Sequence, residues 1–249
     1  MNTDILDYEK LLLLSKDIDT VIHLASHVHK PKDKFQKIED ININGTKNII
    51  KFSESRKAKL IHISTVNVQH FYEGKLFSAY AKTKAFSEEK VIEATKKGLD
   101  GVVIRPGTVF GTIKNYSGTL VEKIVMSKIP LLPAPDRIIS PVWAEDLIVA
   151  ITNSINLGEK GRIYTIADKP ITTAVFVRTI MNLLGYKRIK IPVSRKWIIF
   201  FIKIFNKLNL FKSIISNVSY ENIKVDSSFD GSKSANELNF KYTDLNKIF

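Results

Sequence analysis

Residues 59–64, KLIHIS, and residues 101–105, GVVIR, flank the stretch AYAKTKAFSEEKVIEATKK at 79–97. The flanks are short, apolar and rich in β-branched residues, as strands buried on both faces read. The middle stretch has helical spacing, with Glu and Lys expected on its outer positions. Pro106 and Gly107 stop the second strand. Strand, helix and strand in this order form the repeating unit of a parallel sheet covered by helices.

The pattern continues outward. IDTVIHLA at 18–25 reads as another buried strand, after a leucine-rich helical stretch. Residues 33–54 have helical spacing, with Phe35, Ile38, Ile41, Ile49, Ile50 and Phe52 apolar. Beyond Gly111 the pattern loosens into a helix near 120–127 and a turn-rich link at Pro130, Pro133 and Pro135. A strand end and helix are expected over 141–155, with Asp146 in the helix's early turns. A strand over 162–167, a helix over 172–185 closed by Gly185, and a short strand over 189–192 follow. The expected architecture is an open α/β sheet from 1–112 and 141–168, with a smaller C-terminal lobe from 113–140 and 169–249.

Composition narrows the classes. A chain of 249 residues with 44% hydrophobic residues buries a full core. There are no cysteines, so disulfides and thiolate metal ligands are excluded. The first nine residues are polar and acidic, unlike a secretory leader, and a cytoplasmic location is expected. The net charge of +13 comes from lysines spread along the whole chain, which argues against a nucleic-acid footprint and suits an anionic small substrate. WIIFFIKIF, from Trp197 to Phe205, is too short to span a bilayer. It reads either as a helix packed in the lobe or as contact with a membrane surface.

The candidate chemistry lies at the strand ends. Tyr80 and Lys84 are four apart, one turn along one helix face. A free tyrosine has a pKa of about 10, and a neighbouring ammonium favours the phenolate. The pair alone is common by chance. Ser64 and Thr65, however, end the strand before this helix, where a hydroxyl can hydrogen-bond a substrate oxygen. Pro106 and Gly107 end the next strand, where a ligand can approach the backbone. His23, His27, His29 and His62 lack metal-like spacing with carboxylates and read as local hydrogen-bonders, so no metal site is expected.

Eight segments in order, DTVIHLAS (19–26), NINGT (42–46), HISTVNV (62–68), YAKTK (80–84), IRPGTVFG (104–111), PVWAEDLIVAI (141–151), GRIYTIAD (161–168) and DGSKSANELNF (230–240), resemble the extended short-chain dehydrogenase/reductase family. These are the NAD-dependent epimerases and dehydratases of nucleotide sugars. The resemblance implies a Rossmann-like sheet with a substrate-binding lobe. It implies hydride transfer at a sugar carbon, by an epimerase, dehydratase or 4-keto reductase, with NAD or NADP as cofactor. Carried over by position, Thr65, three places before Val68, supplies the catalytic hydroxyl and Tyr80 is the acid/base. Lys84 lowers the tyrosine pKa and holds the nicotinamide ribose. Leu24, Ala25 and Ser26 would line the pyrophosphate and ribose, with Asn42 and Ser64 on the cofactor side and Asp4 and Ile5 at the adenine. Pro106 and Gly107 would face the nicotinamide, and Thr108 the substrate.

The sequence departs from that family at its start. No glycine precedes Gly45, so the Gly-x-x-Gly-x-x-Gly phosphate loop and the first strands are missing. An N-terminally truncated member is expected. The acidic residue that separates NAD from NADP belongs to the same missing part. The spacing of 15 positions from Thr65 to Tyr80 is also short, and Gln69 and His70 replace the family's Tyr-Gly. Two readings stand: a nucleotide-sugar enzyme, with a homodimer open, or a cofactor-free fragment or degenerate relative acting as a binding or membrane-associated scaffold.

Overall fold

A computed structural model describes residues 3–14, 17–28, 34–111, 125, 130–187, 189–200 and 223–248. Four strands, β1 (Thr20–His23), β2 (Lys59–Ile63), β3 (Gly101–Pro106) and β8 (Ile163–Ile166), form one sheet in the order β1-β2-β3-β8. Every pairing is parallel, with Val21 opposite Leu60, Ile61 opposite Val102 and Ile104 opposite Tyr164. All four strands therefore end on one side, where open α/β sheets bind ligands.

The period-two alternation of a strand sends successive side chains to opposite faces. Leu60 and Val103 pack with α1 (Tyr8–Leu12), α3 (Gly45–Arg56) and α5 (Ala79–Lys97) through Leu11, Ile50, Phe52, Val91 and Ala94. Ile61, Val102 and Ile104 face the other way, against Ala150 and Ile151 of α6 (Ala144–Leu157) and against Leu238. A third core gathers Phe110, Leu132, Ile139, Trp143, Phe176, Val177 and Ile180 around α7 (Thr173–Leu183).

The predicted helix over 33–54 is one helical run in three parts. α2 (Phe35–Glu39) passes into a π-helical turn (Asp40–Asn44) and then α3. α5 matches the sequence reading residue for residue. Ser78 caps it by accepting from the Ala81 amide at 3.1 Å, and Gly98 follows its last turn with φ 129°. One expectation fails inside it: Glu88 is not on the outer surface but fully buried. Arg105, on the neighbouring strand, neutralises it there.

Two further features depart from the reading. A short helix, α4 (Asn67–Tyr72), follows Thr65 where none was expected. Pro106 and Gly107 end β3 but not the extended chain, because β4 (Thr108–Phe110) continues and pairs in parallel with β7 (Pro141–Trp143). The chain can cross between sheets at Gly107 because glycine lacks the Cβ that would overlap the Ser140 carbonyl. Smaller pairs join β5 (Leu131–Pro133) to β10 (Ile191–Val193) and β6 (Ile138–Ile139) to β9 (Ile171–Thr172). The helix expected at 120–127, apart from Val125, and residues 201–205 of the apolar stretch lie outside the described residues.

Residues 225–243 strap this frame together. Ser140 Oγ shares its one proton between the carbonyls of Ser227 and Phe229, at 2.8 and 3.0 Å. After α8 (Ser232–Glu237), Asp146 accepts from the Thr243 amide and hydroxyl at 2.9 and 2.7 Å. The outer edge of β8 is closed by the same segment: the Thr165 amide donates to Ser234 Oγ and the Ala167 amide to Tyr242 Oη, both at 3.0 Å. β1 forms the opposite edge, with Ile22 and Leu24 exposed.

Candidate active site

The strand ends bring most of the sequence-predicted residues to one side of the sheet. Ser64 and Thr65 follow β2, and their loop stays zipped to β3: the Ser64 amide donates to Ile104 O at 2.7 Å and the Val66 amide to Pro106 O at 3.1 Å. Pro106, Gly107 and Thr108 lie at the end of β3, where the Gly107 amide donates to Ile166 O at 2.9 Å. Thr65 is half-buried, and its hydroxyl accepts from the Asn67 amide at 3.3 Å, the first turn of α4. Tyr80 is half-buried in the first turn of α5.

Lys84 stands one turn further into α5 and is only 3% exposed. Its Nζ donates to the Ile63 carbonyl at 2.5 Å, at the very end of β2. Burial pulls its pKa down to about 8, and the Glu88 carboxylate opposes that shift. Glu88 is itself occupied. It forms a buried ion pair with Arg105, and Ser64 Oγ donates to it at 2.7 Å. This carboxylate ties α5 to β3 and to Ser64, the residue that follows β2 and precedes Thr65. Sequence reading missed it, although Tyr80, Lys84 and Glu88 at i, i+4 and i+8 share one helix face.

Asn42 clamps the β1 side. Its Oδ1 accepts from the His27 amide at 2.7 Å and from Ser26 Oγ at 3.2 Å. Its Nδ2 donates to His27 O at 3.1 Å and to Thr83 Oγ1 at 3.0 Å. Both lone pairs and both N–H groups of the amide are used. Asn42 thus joins the loop after β1 to the helix of Tyr80 and Lys84. The rest of its motif is engaged as well. Thr46 Oγ1 donates to Asn42 O at 2.6 Å and bonds His23 Nε2 at 2.9 Å, while Gly45 makes room for Ile5, which a Cβ would strike.

Asp4, Ile5, Ala25 and Ser26 line one cleft of about 810 Å³, together with His27, Lys34, Lys37 and Asp40. Asn48 fixes its wall by donating to Ile5 O at 3.0 Å. Leu24 is exposed beside it.

The histidines behave differently from one another. His23 is a hydrogen-bonder, and burial followed by the Lys84 charge lowers its pKa to about 4, so it is neutral at ordinary pH. His62 is fully buried, 5.2 Å from His23 between ring centroids. Neither of its ring nitrogens has a hydrogen-bond partner among the described residues, contrary to the expectation of a local hydrogen-bonder. Burial holds it neutral as well. Among the described residues no group of three or more His, Cys, Asp and Glu side chains could hold a metal ion.

Comparison with known proteins follows this geometry. The sequence profile of the 3-beta hydroxysteroid dehydrogenase/isomerase family matches residues 1–194. Short-chain dehydrogenase/reductase family 42E member 1 of Macaca fascicularis is 24% identical, over 90% of this chain and 68% of that protein. The crystal structure of gox2253 superposes with a TM-score of 0.80 at 17% identity, covering 99% of this chain and 80% of that one. The dTDP-glucose 4,6-dehydratase of Bacillus anthracis, solved in complex with NAD, gives a TM-score of 0.73 at 17% identity, covering 100% and 77%.

Proposed function

The chain belongs to the 3-beta hydroxysteroid dehydrogenase/isomerase family, within the extended short-chain dehydrogenases/reductases, and from that premise we propose that it performs NAD- or NADP-dependent chemistry at a carbinol or keto carbon. Thr65, Tyr80 and Lys84 carry it. Tyr80 Oη gives or takes the proton of the reacting oxygen. Thr65 Oγ1 hydrogen-bonds the same oxygen and fixes its direction. Lys84 supplies a positive charge one turn behind the phenol and favours its ionised form.

The observation that supports this most is the placement of Lys84. An ammonium this buried costs the fold stability, and a core has no need of one. Lys84, four residues after Tyr80, ends on the carbonyl of Ile63, two residues before Thr65.

The cleft at the end of β1 fits a nucleotide. It is wide enough, offers Asp4 for hydroxyl groups, and has Lys34 and Lys37 on its rim for phosphate. A bound nicotinamide dinucleotide supplies the hydride acceptor or donor. For the substrate we infer a nucleotide sugar, supported by the +13 net charge and by the fold shared with a dTDP-glucose 4,6-dehydratase. The family profile favours a second reading, a hydroxysteroid.

Thermal shift of the full chain with NAD, NADH, NADP and NADPH tests the cofactor. Reduction of added cofactor by a panel of UDP- and dTDP-sugars and hydroxysteroids tests the substrate. Stabilisation by one cofactor pair is expected, with turnover lost in Tyr80→Phe but binding kept. A folded chain that none of the four stabilises would sink the enzyme reading.

A further inference from the structure

A run of apolar side chains that the proposed chemistry does not use lies exposed at the β5–β10 pair. Ile191 stands opposite Leu131 in the ladder, and both are about half exposed. Two residues before Ile191, Ile189 is 84% exposed. The helical residues 195–200 follow at once and carry Trp197, 57% exposed, and Phe200, 50% exposed. Their rings meet edge to face with centroids 5.7 Å apart, as i and i+3 on one helix face. An exposed run of this kind marks a contact surface.

Its surroundings identify the partner. Residues 187–200, KRIKIPVSRKWIIF, hold five Lys or Arg and no Asp or Glu. Arg195 is engaged by Asp226 at 2.8 Å and Asp136 at 3.3 Å, whereas Lys187 and Lys196 are exposed. A second copy would set the same basic rim against itself in a two-fold contact. Nucleic acid would suit the lysines and rings but leave Leu131, Ile189 and Ile191 with nothing to bury. An anionic lipid surface satisfies every part: aliphatic and aromatic groups enter the headgroup–acyl boundary while lysines stay among the headgroups. Among the described residues no helix is long and apolar enough to cross a membrane.

We propose that this face docks the protein on the surface of an anionic bilayer, with Trp197, Phe200, Ile189 and Ile191 as the inserted groups and Lys187 and Lys196 as the charged rim.

Co-sedimentation of the full chain with phosphatidylcholine vesicles, with and without phosphatidylserine, tests this. Binding is expected with phosphatidylserine only, weakening as salt rises. Lys187→Glu with Lys196→Glu should lower it by at least about tenfold, and so should Ile191→Asp with Phe200→Asp. Circular dichroism and the cofactor-induced thermal shift should stay unchanged in both, which separates this surface from the proposed chemistry. Lipids brominated in the acyl chain should quench Trp197 fluorescence, and Trp197→Phe should lose that quenching because Trp143 is buried. Three results would overturn the proposal. The first two are a folded chain that fails to pellet and double variants that both bind as the wild type does. The third is loss of self-association or of oligonucleotide binding in the patch variants of a chain that never bound vesicles.

Discussion

Lys84 buries a charge that a methionine of similar length would not bring, and the cost of that charge depends on pH. Burial lowers its pKa in the folded chain to about 8 from the ordinary 10.5. Below pH 8 folded and unfolded chains both hold the proton, and the folded state bears the whole desolvation penalty. Between about 8 and 10.5 the folded lysine releases its proton before the unfolded one, so stability rises with pH. Lys84→Met should therefore stabilise the protein near neutrality by on the order of 2 kcal/mol, after allowing for the lost bond to Ile63 O. That gain should fade as pH climbs through this window, while any cofactor-dependent activity disappears. Urea unfolding of both proteins across the pH range checks it, and a gain that does not vary with pH would contradict burial as the cause.

At the scale of elements, the π-turn at Asp40–Asn44 does more than bend a helix. It sets Asn42 where one amide can bind both the loop after β1 and Thr83 of α5. Asn42→Ala would leave the His27 backbone groups and Thr83 without these bonds, and should cost about 2–4 kcal/mol in denaturant unfolding. Cofactor affinity should fall with it, because the cleft wall at Ser26 and His27 loses its anchor. Unchanged stability would mean that water replaces the amide at no cost. The sequence announces some of this architecture and hides the rest. α5 was legible to the residue because Ser78, Gly98 and an apolar face are local signals. The strand ends were legible because β-branched runs stop at Ser64 and Pro106. The π-turn was not, since it answers to partners 15 and 41 residues away in sequence. Nor was the burial of Glu88, whose neutralising Arg105 belongs to another element. α4 has only six residues, too few for a period to show.

At the scale of the molecule, a sheet with two unlike edges is held at one of them by a strap. Asp146 anchors it to α6 through the Thr243 amide and hydroxyl, and Asn153 of the same helix donates to Leu238 O at 2.8 Å. Asp146→Ala should cost about 2 kcal/mol and free the strap before the sheet loosens. Trypsin would then cut first after Lys241 or Lys233, at a rate about tenfold above the wild type under native conditions. Equal cleavage rates would show that the strap's other hydrogen bonds and the apolar contacts of Leu238 and Phe240 hold it without Asp146. The strap also bears on synthesis. Ribosomes release β1, β2, β3 and β8 in that order, and residues 225–243 after all of them. Until that segment emerges, the β8 amides that Ser234 and Tyr242 later accept have no cover, and Ser140 lacks its carbonyl partners. The nascent chain can therefore assemble its sheet early but finishes its β8 edge last. During that interval the edge is open to pairing with other chains, so slower translation of the strap should raise the demand for a chaperone.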